Sequence, residues 1–182
     1  MDREPPGEDR YPSKMGNFMT VFAWLIFLGI LTFYFNGFLN QQDNPNSQAD
    51  SILYEDRIEI VLDQNRGGHY VATITINEFQ ADVLIDTGAT MVSIPEHIAN
   101  DMGLNRGPMM EVTTANGTIP VYATVLDKVQ LGEIVVHNVR ASINPHMQDD
   151  FVLLGMSFLK QLEFTQRQNQ LILRQYRTNK TL

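Results

Sequence analysis

Three apolar residues, Val83-Leu84-Ile85, run straight into Asp86-Thr87-Gly88-Ala89. A buried strand that ends on a carboxylate, a hydroxyl and a glycine constrains this chain more than any other stretch does. It requires a fold in which a core element delivers an acid to the edge of a hydrophobic interior. Burial disfavours the charged form of a carboxylate, so an acid held there is suited to proton chemistry. The tripeptide alone is a weak signal, and its weight comes from what surrounds it.

Short strands surround it. Ile58, Ile60 and Leu62 alternate with Glu59, Val61 and Asp63, as a half-buried strand requires. Asn65-Arg66-Gly67-Gly68 reads as a turn. Tyr70, Ala72, Ile74 and Ile76 then share one face of the next strand. Beyond the acid, Ser93-Ile94-Pro95-Glu96 has the spacing of a capping box and predicts a helix start, with Gly103 as its stop. Asn116-Gly117 is the strongest short hairpin signal, between a strand from Glu111 and a long one from Thr118 to Val129. Ile134 to Ile143, Phe151 to Leu154, and a hairpin of Leu162–Phe164 with Leu171–Leu173 complete the strands. Many short strands and one or two short helices predict a mainly β, closed or sandwiched fold.

Asp86-Thr87-Gly88-Ala89-Thr90, the following Met91-Val92-Ser93-Ile94 and the distant Val152-Leu153-Leu154-Gly155 together resemble the retropepsin-like aspartic proteases, over roughly Ile58 to Leu173. The resemblance implies a closed β-barrel and peptide hydrolysis by water held between two carboxylates. On that reading Asp86 supplies the acid, the Thr87 hydroxyl fastens its loop to a counterpart, and Gly88 lets the two loops approach. Thr113 to Thr118 falls where the family has a mobile flap, so Ala115, Asn116 and Gly117 would meet substrate, as would Ala89, Phe151 and Leu153. Leu153, Leu154 and Gly155 would form the motif behind the catalytic loop. Only one Asp-Thr-Gly is present, and two are needed, so the resemblance implies a homodimer in which a two-fold axis pairs the Asp86 residues. Thr90, Met91 and Met156 depart from the retroviral pattern, so subsite preference and dimer ion pairs do not carry over. No cofactor and no metal are expected.

The N-terminus carries a different signal. Phe18 to Phe35 is an apolar run without a charged residue, about long enough to cross a ~30 Å hydrocarbon core. Arg3, Arg10 and Lys14 precede it, and no Lys or Arg occurs from Asn36 to Asp56. The positive-inside rule then puts the N-terminus in the cytoplasm and the β domain across the membrane. Such small anchored proteases resemble those of bacteria, which implies an inner-membrane protein with a periplasmic domain. A cleaved signal peptide is disfavoured by the length of the run and by the lack of a small-residue cleavage site. The expected organisation is a cytoplasmic segment 1–17, a transmembrane helix 18–35, a flexible polar linker 36–52, the protease domain 53–176 and a tail 177–182.

Composition removes other classes. Without cysteine, disulfides, thiolate metal sites and a cysteine nucleophile are excluded. A net charge of −8 argues against nucleic acid as a partner. His69, His97, His137 and His146 lack metal-ligand spacing. Asp149-Asp150 and Asp82 read as solvated carboxylates. Ile85 to Thr90 superficially resembles the phosphate loop of actin-like ATPases, but a two-lobed fold needs a longer chain. The remaining alternative is a membrane-tethered, non-catalytic binding or scaffold module on a protease-like fold.

Overall fold

The computed structural model describes residues 14–114 and 117–177. It divides into two compact units, with the boundary between Leu39 and Asn40. The body of one helix, α1 (Lys14–Asp43), makes up the first. Its side chains from 18 to 39 are all exposed, Phe22, Trp24, Phe27 and Phe33 among them. The stretch from Phe18 to Asp43, 26 residues, is long and apolar enough to cross a membrane. At ~1.5 Å rise per residue it measures about 39 Å. The expected span of 18–35 lies inside this longer helix. Nothing after Phe35 stops the helix until Pro45, whose ring disfavours helical geometry in the residue before it.

The second unit is built from strands. They run in the order β1 (Ser51–Leu53), β2 (Arg57–Asp63), β3 (Val71–Ile76), β4 (Phe79–Ile85) and β5 (Val92–Pro95), followed by helix α2 (Glu96–Asp101). Then come β6 (Met109–Thr114), β7 (Gly117–Leu131), β8 (Ile134–Asn144), β9 (Val152–Leu154), helix α3 (Met156–Leu159), β10 (Glu163–Arg167) and β11 (Gln170–Tyr176). The larger sheet is ordered β3-β4-β9-β5-β8-β7-β6, and β7 pairs back to β3 through Thr75↔Gln130 and Ile76↔Val129. That pairing closes a barrel and leaves β6 outside the ring, attached only to β7. The expectation of a mainly β, closed fold with two short helices in the domain is met.

Alternation fills the barrel. Ala72, Ile74 and Ile76 of β3 and Val83 and Ile85 of β4 are buried, because residues two apart share a face. A smaller sheet, ordered β1-β2-β11-β10, adds Ile60, Leu62, Leu171 and Leu173 to the same core. Glu59, expected on the solvent side of β2, is also buried. Arg174 Nε of β11 donates to its Oε2 at 2.6 Å, so the charge is covered by a paired guanidinium.

Two local expectations are corrected. Ser93 is no helix cap: it lies within β5, and α2 starts from Pro95 with no side-chain cap. Proline suits the first turn without a capping partner. In the β6–β7 hairpin Thr114 pairs with Gly117, so Gly117 belongs to the strand. Ala115 and Asn116 lie outside the described residues.

Residues 36–52, expected as a flexible linker, are held in part. They continue α1 to Asp43, after which Asn44 and Asn46 are buried. Asn46 Nδ2 donates to the carbonyls of Asp63 (2.9 Å) and Val71 (2.6 Å), and its Oδ1 accepts from the Asp63 amide (2.8 Å). Asn44 Nδ2 donates to Asp82 Oδ1 (2.9 Å) and Thr73 Oγ1 (3.0 Å). A carboxamide carries the same donor and acceptor as a peptide group, so Asn46 bridges β2 and β3, strands of different sheets. Asp82 is exposed, as expected of a solvated residue, but it also accepts from Thr73 Oγ1 at 2.5 Å.

Candidate active site

The acid is placed by a parallel pair of strands. Val83, Leu84 and Ile85 of β4 align with Val152, Leu153 and Leu154 of β9, and the Asp86 amide continues the ladder to the Leu154 carbonyl at 3.2 Å. The chain then turns, with the Ala89 amide donating to the Asp86 carbonyl at 3.3 Å. The Gly88 amide donates to Asp86 Oδ1 at 2.8 Å, which fixes one carboxylate oxygen. Gly88 has a steric role as well. A Cβ there would lie 3.1 Å from that same oxygen. Asp86 is half-buried, while Thr87 and Gly88 are exposed beside it.

The far side of the loop is fastened by the start of α3. The Met156 amide donates to the Ala89 carbonyl at 2.8 Å, and the Val92 amide donates to Ser157 Oγ at 3.0 Å. Gly155 lies between these bonds and is buried. Leu154 and Gly155 thus stand directly against the backbone of the Asp86 loop.

A cavity of about 380 Å³ opens in front of it. Asp86, Gly88, Ala89, Thr90 and Met91 form one side. Ser93, Ser142, Asn144 and Leu153 from β5, β8 and β9 form the wall. Val112, Thr113, Ile119 and Val121 of the β6–β7 hairpin lie over it. Asp86 is the one ionisable residue of this lining. Among the described residues no cluster of His, Asp and Glu suited to a metal ion occurs.

Of the residues singled out from sequence, Asp86, Gly88, Ala89 and Leu153 therefore meet at one cavity. Thr87 is exposed at its rim without lining it. Gly117 and the half-buried Phe151 are also absent from the lining. Ser93, Ser142, Asn144 and Ser157 were not anticipated. The first three were readable in retrospect: Ser93 lies between the apolar Val92 and Ile94, and Ser142 and Asn144 alternate with Ala141 and Ile143. Ser157 had no local signal, because its partner is 65 residues away.

Comparison with known proteins agrees with this geometry. Residues 72–161 match the family model described as "gag-polyprotein putative aspartyl protease". A protein of Sinorhizobium sp., described as "Uncharacterized protein in cobV 5'region", is 34% identical over 115 residues, which is 62% of this chain and 49% of that protein. The chain thus spans about half the length of that curated relative. The crystal structure of a retropepsin-like aspartic protease from Rickettsia conorii superposes with a TM-score of 0.57 at 24% identity, covering 71% of this chain and 96% of that one. EIAV protease, complexed with the inhibitor HBY-793, is a more remote likeness, with a TM-score of 0.40 at 18% identity over 50% of this chain and 86% of that one. The closed barrel has a retropepsin-like fold, and the stretch that carries Asp86 lies within the residues that match an aspartyl protease family.

Proposed function

We propose that this chain is a membrane-anchored aspartic endopeptidase, active as a homodimer. The observation that carries the reading is that the cavity has a single ionisable residue, Asp86, set beside the exposed Thr87 and Gly88. Acid–base hydrolysis of a peptide needs two adjacent carboxylates with one proton between them, because like charges so close cannot both ionise. A second copy of the chain, related by a two-fold axis at that exposed rim, supplies the other.

In the assembled pair the ionised carboxylate takes a proton from water. The water oxygen attacks the peptide carbonyl carbon, while the protonated carboxyl hydrogen-bonds the carbonyl oxygen. A proton then passes to the amide nitrogen, the C–N bond breaks, and the products are an acid and an amine. Thr87 ties the two loops together, and the β6–β7 hairpin closes over substrate. Helix α1 serves as the anchor, with the N-terminus in the cytoplasm and residues 53–176 working as a periplasmic protease domain.

The test is peptide hydrolysis by the full-length protein in detergent, with sedimentation followed in parallel. Asp86→Asn should abolish cleavage while the melting temperature stays close to wild type. A statine-type inhibitor should titrate one site per two chains. Cleavage that survives in Asp86→Asn, or full activity in a monomer, would refute the proposal. A folded protein that binds peptides but cleaves none would favour a scaffold module.

A further inference from the structure

We propose that Ser93, Ser142 and Asn144 form a hydrogen-bonding subsite that selects peptides with an uncharged polar side chain, Asn, Gln, Ser or Thr, next to the scissile bond. The inference rests on the protease reading above and specifies its substrate class.

Alternation places these groups together. On β5 the sequence Val92-Ser93-Ile94 puts two fully buried residues around a half-buried serine. On β8 Ala141 and Ile143 face the core, and Ser142 and Asn144 take the other face. The parallel pairing of β5 with β8 sets Ser93 beside Ser142 and Pro95 beside Asn144. Neighbouring strands lie ~4.8 Å apart and same-face residues ~6.6 Å apart along a strand, so the three polar groups occupy a patch about 8 Å across. Leu153 pairs with Ser93 from the other side, and all four line the cavity with Asp86.

Part of this polar capacity is already used. Asn144 Oδ1 accepts the His146 amide at 2.9 Å, which fixes the carboxamide and leaves Nδ2 as a donor. Ser142 Oγ reaches the Val92 carbonyl only at 3.5 Å. Among the described residues neither Asn144 Nδ2 nor Ser93 Oγ has a hydrogen-bond partner. The hairpin opposite contributes the aliphatic Val112, Ile119 and Val121 together with Thr113 and Thr114. The cavity therefore matches a side chain with an apolar stem and a polar, uncharged head. A leucine there would exclude water from Ser93 and Asn144 and leave both unpaired. A lysine or glutamate would enter a site whose sole charge is already committed to the reaction.

The test compares peptides that differ only at the positions flanking the cleaved bond, with full-length protein in detergent. At one of those positions wild type should favour Gln or Asn over Leu about tenfold in kcat/KM. Ser93→Val should reduce that preference to about threefold or less. Asn144→Asp keeps the acceptor for the His146 amide, removes the donor and adds a charge, so it should shift preference toward Lys or Arg. A loss of fold alone would produce no such shift. Binding of the same peptides to Asp86→Asn protein separates this proposal from the one it rests on. If wild type cleaves nothing but Asp86→Asn binds Gln peptides about tenfold more tightly than Leu peptides, and loses this with Ser93→Val, the subsite stands and the protease reading fails. Equal binding and equal cleavage of Gln and Leu peptides, or a preference that both substitutions leave in place, would overturn the subsite.

Discussion

Gly155 leaves no room for a side chain against the carbonyl oxygen of Ala89: a Cβ at that position would lie 2.6 Å from it, with the Met91 carbonyl closer still. Two turns of backbone are thus pressed together, one carrying Asp86 and the other leading into α3. The contact is between main-chain atoms, which cannot rotate away as a side chain can.

Gly155→Ala is accordingly expected to push the Asp86 loop outward. Overpacking of this kind costs about 1–3 kcal/mol, and it strains the bond from the Met156 amide to Ala89. A thermal melt should show the loss of stability, and peptide hydrolysis should fall more than stability does. Wild-type values for both would contradict the close approach.

Ser157 acts through the same loop without facing the cavity. Ser157→Ala removes the acceptor of the Val92 amide, at a cost of about 1 kcal/mol. Because the loop is loosened and the substrate wall is intact, kcat should drop and KM should change little. Ser157→Thr, which restores the hydroxyl, should recover kcat. A rise in KM with kcat preserved would argue against a positioning role.

Asn46 holds two sheets together through three hydrogen bonds. Asn46→Ala should lower stability by about 2 kcal/mol, since buried backbone groups lose their partner. Gln48→Ala, at an exposed position nearby, should stay within about 0.5 kcal/mol of wild type. Urea unfolding of the two variants side by side checks this. Equal midpoints would mean that the 36–52 segment contributes nothing.

Glu163 gives the protein a pH-dependent element away from the cavity. Arg174 Nη1 donates to its Oε1 at 2.9 Å and the Tyr176 hydroxyl to its Oε2 at 3.0 Å, and these bonds, Arg174 first, hold its carboxyl below the ordinary 4.5. A lowered carboxylate pKa stabilises the fold above the unfolded value, and the contribution disappears as pH falls through the folded value. Wild type should therefore exceed Glu163→Gln in urea midpoint at pH 6, with the difference shrinking as pH falls below the ordinary carboxylate range. The carboxylate is fully exposed, so the effect is small and added salt should shrink it. A difference that grew toward acid pH would reverse the assignment.

Orientation across the membrane is open to a direct check. With Arg3, Arg10 and Lys14 before the apolar run and no basic residue from 36 to 56, a C-terminal alkaline phosphatase fusion should be active and a C-terminal cytoplasmic reporter silent. The opposite pattern would place the β domain in the cytoplasm.

What could be read in the sequence follows from what is local. Alternation along Val71–Ile76 fixed one buried face, and Val83-Leu84-Ile85 pointed to an acid at a strand end. The charge-free run from Phe18 to Phe35 needed only composition. Each of these depends on neighbours within a few residues, where side-chain period and solvent preference act directly. Tertiary structure decided the rest. It turned Ser93 from an expected cap into a wall of the cavity, made Asn44 and Asn46 buried bridges instead of linker, and put Ser157 under Val92. A lone hydroxyl or carboxamide looks the same in sequence whether it meets water or a distant backbone amide. Only the closure of the barrel, which brings β4, β5, β8 and β9 into adjacent register, settles which partner it finds.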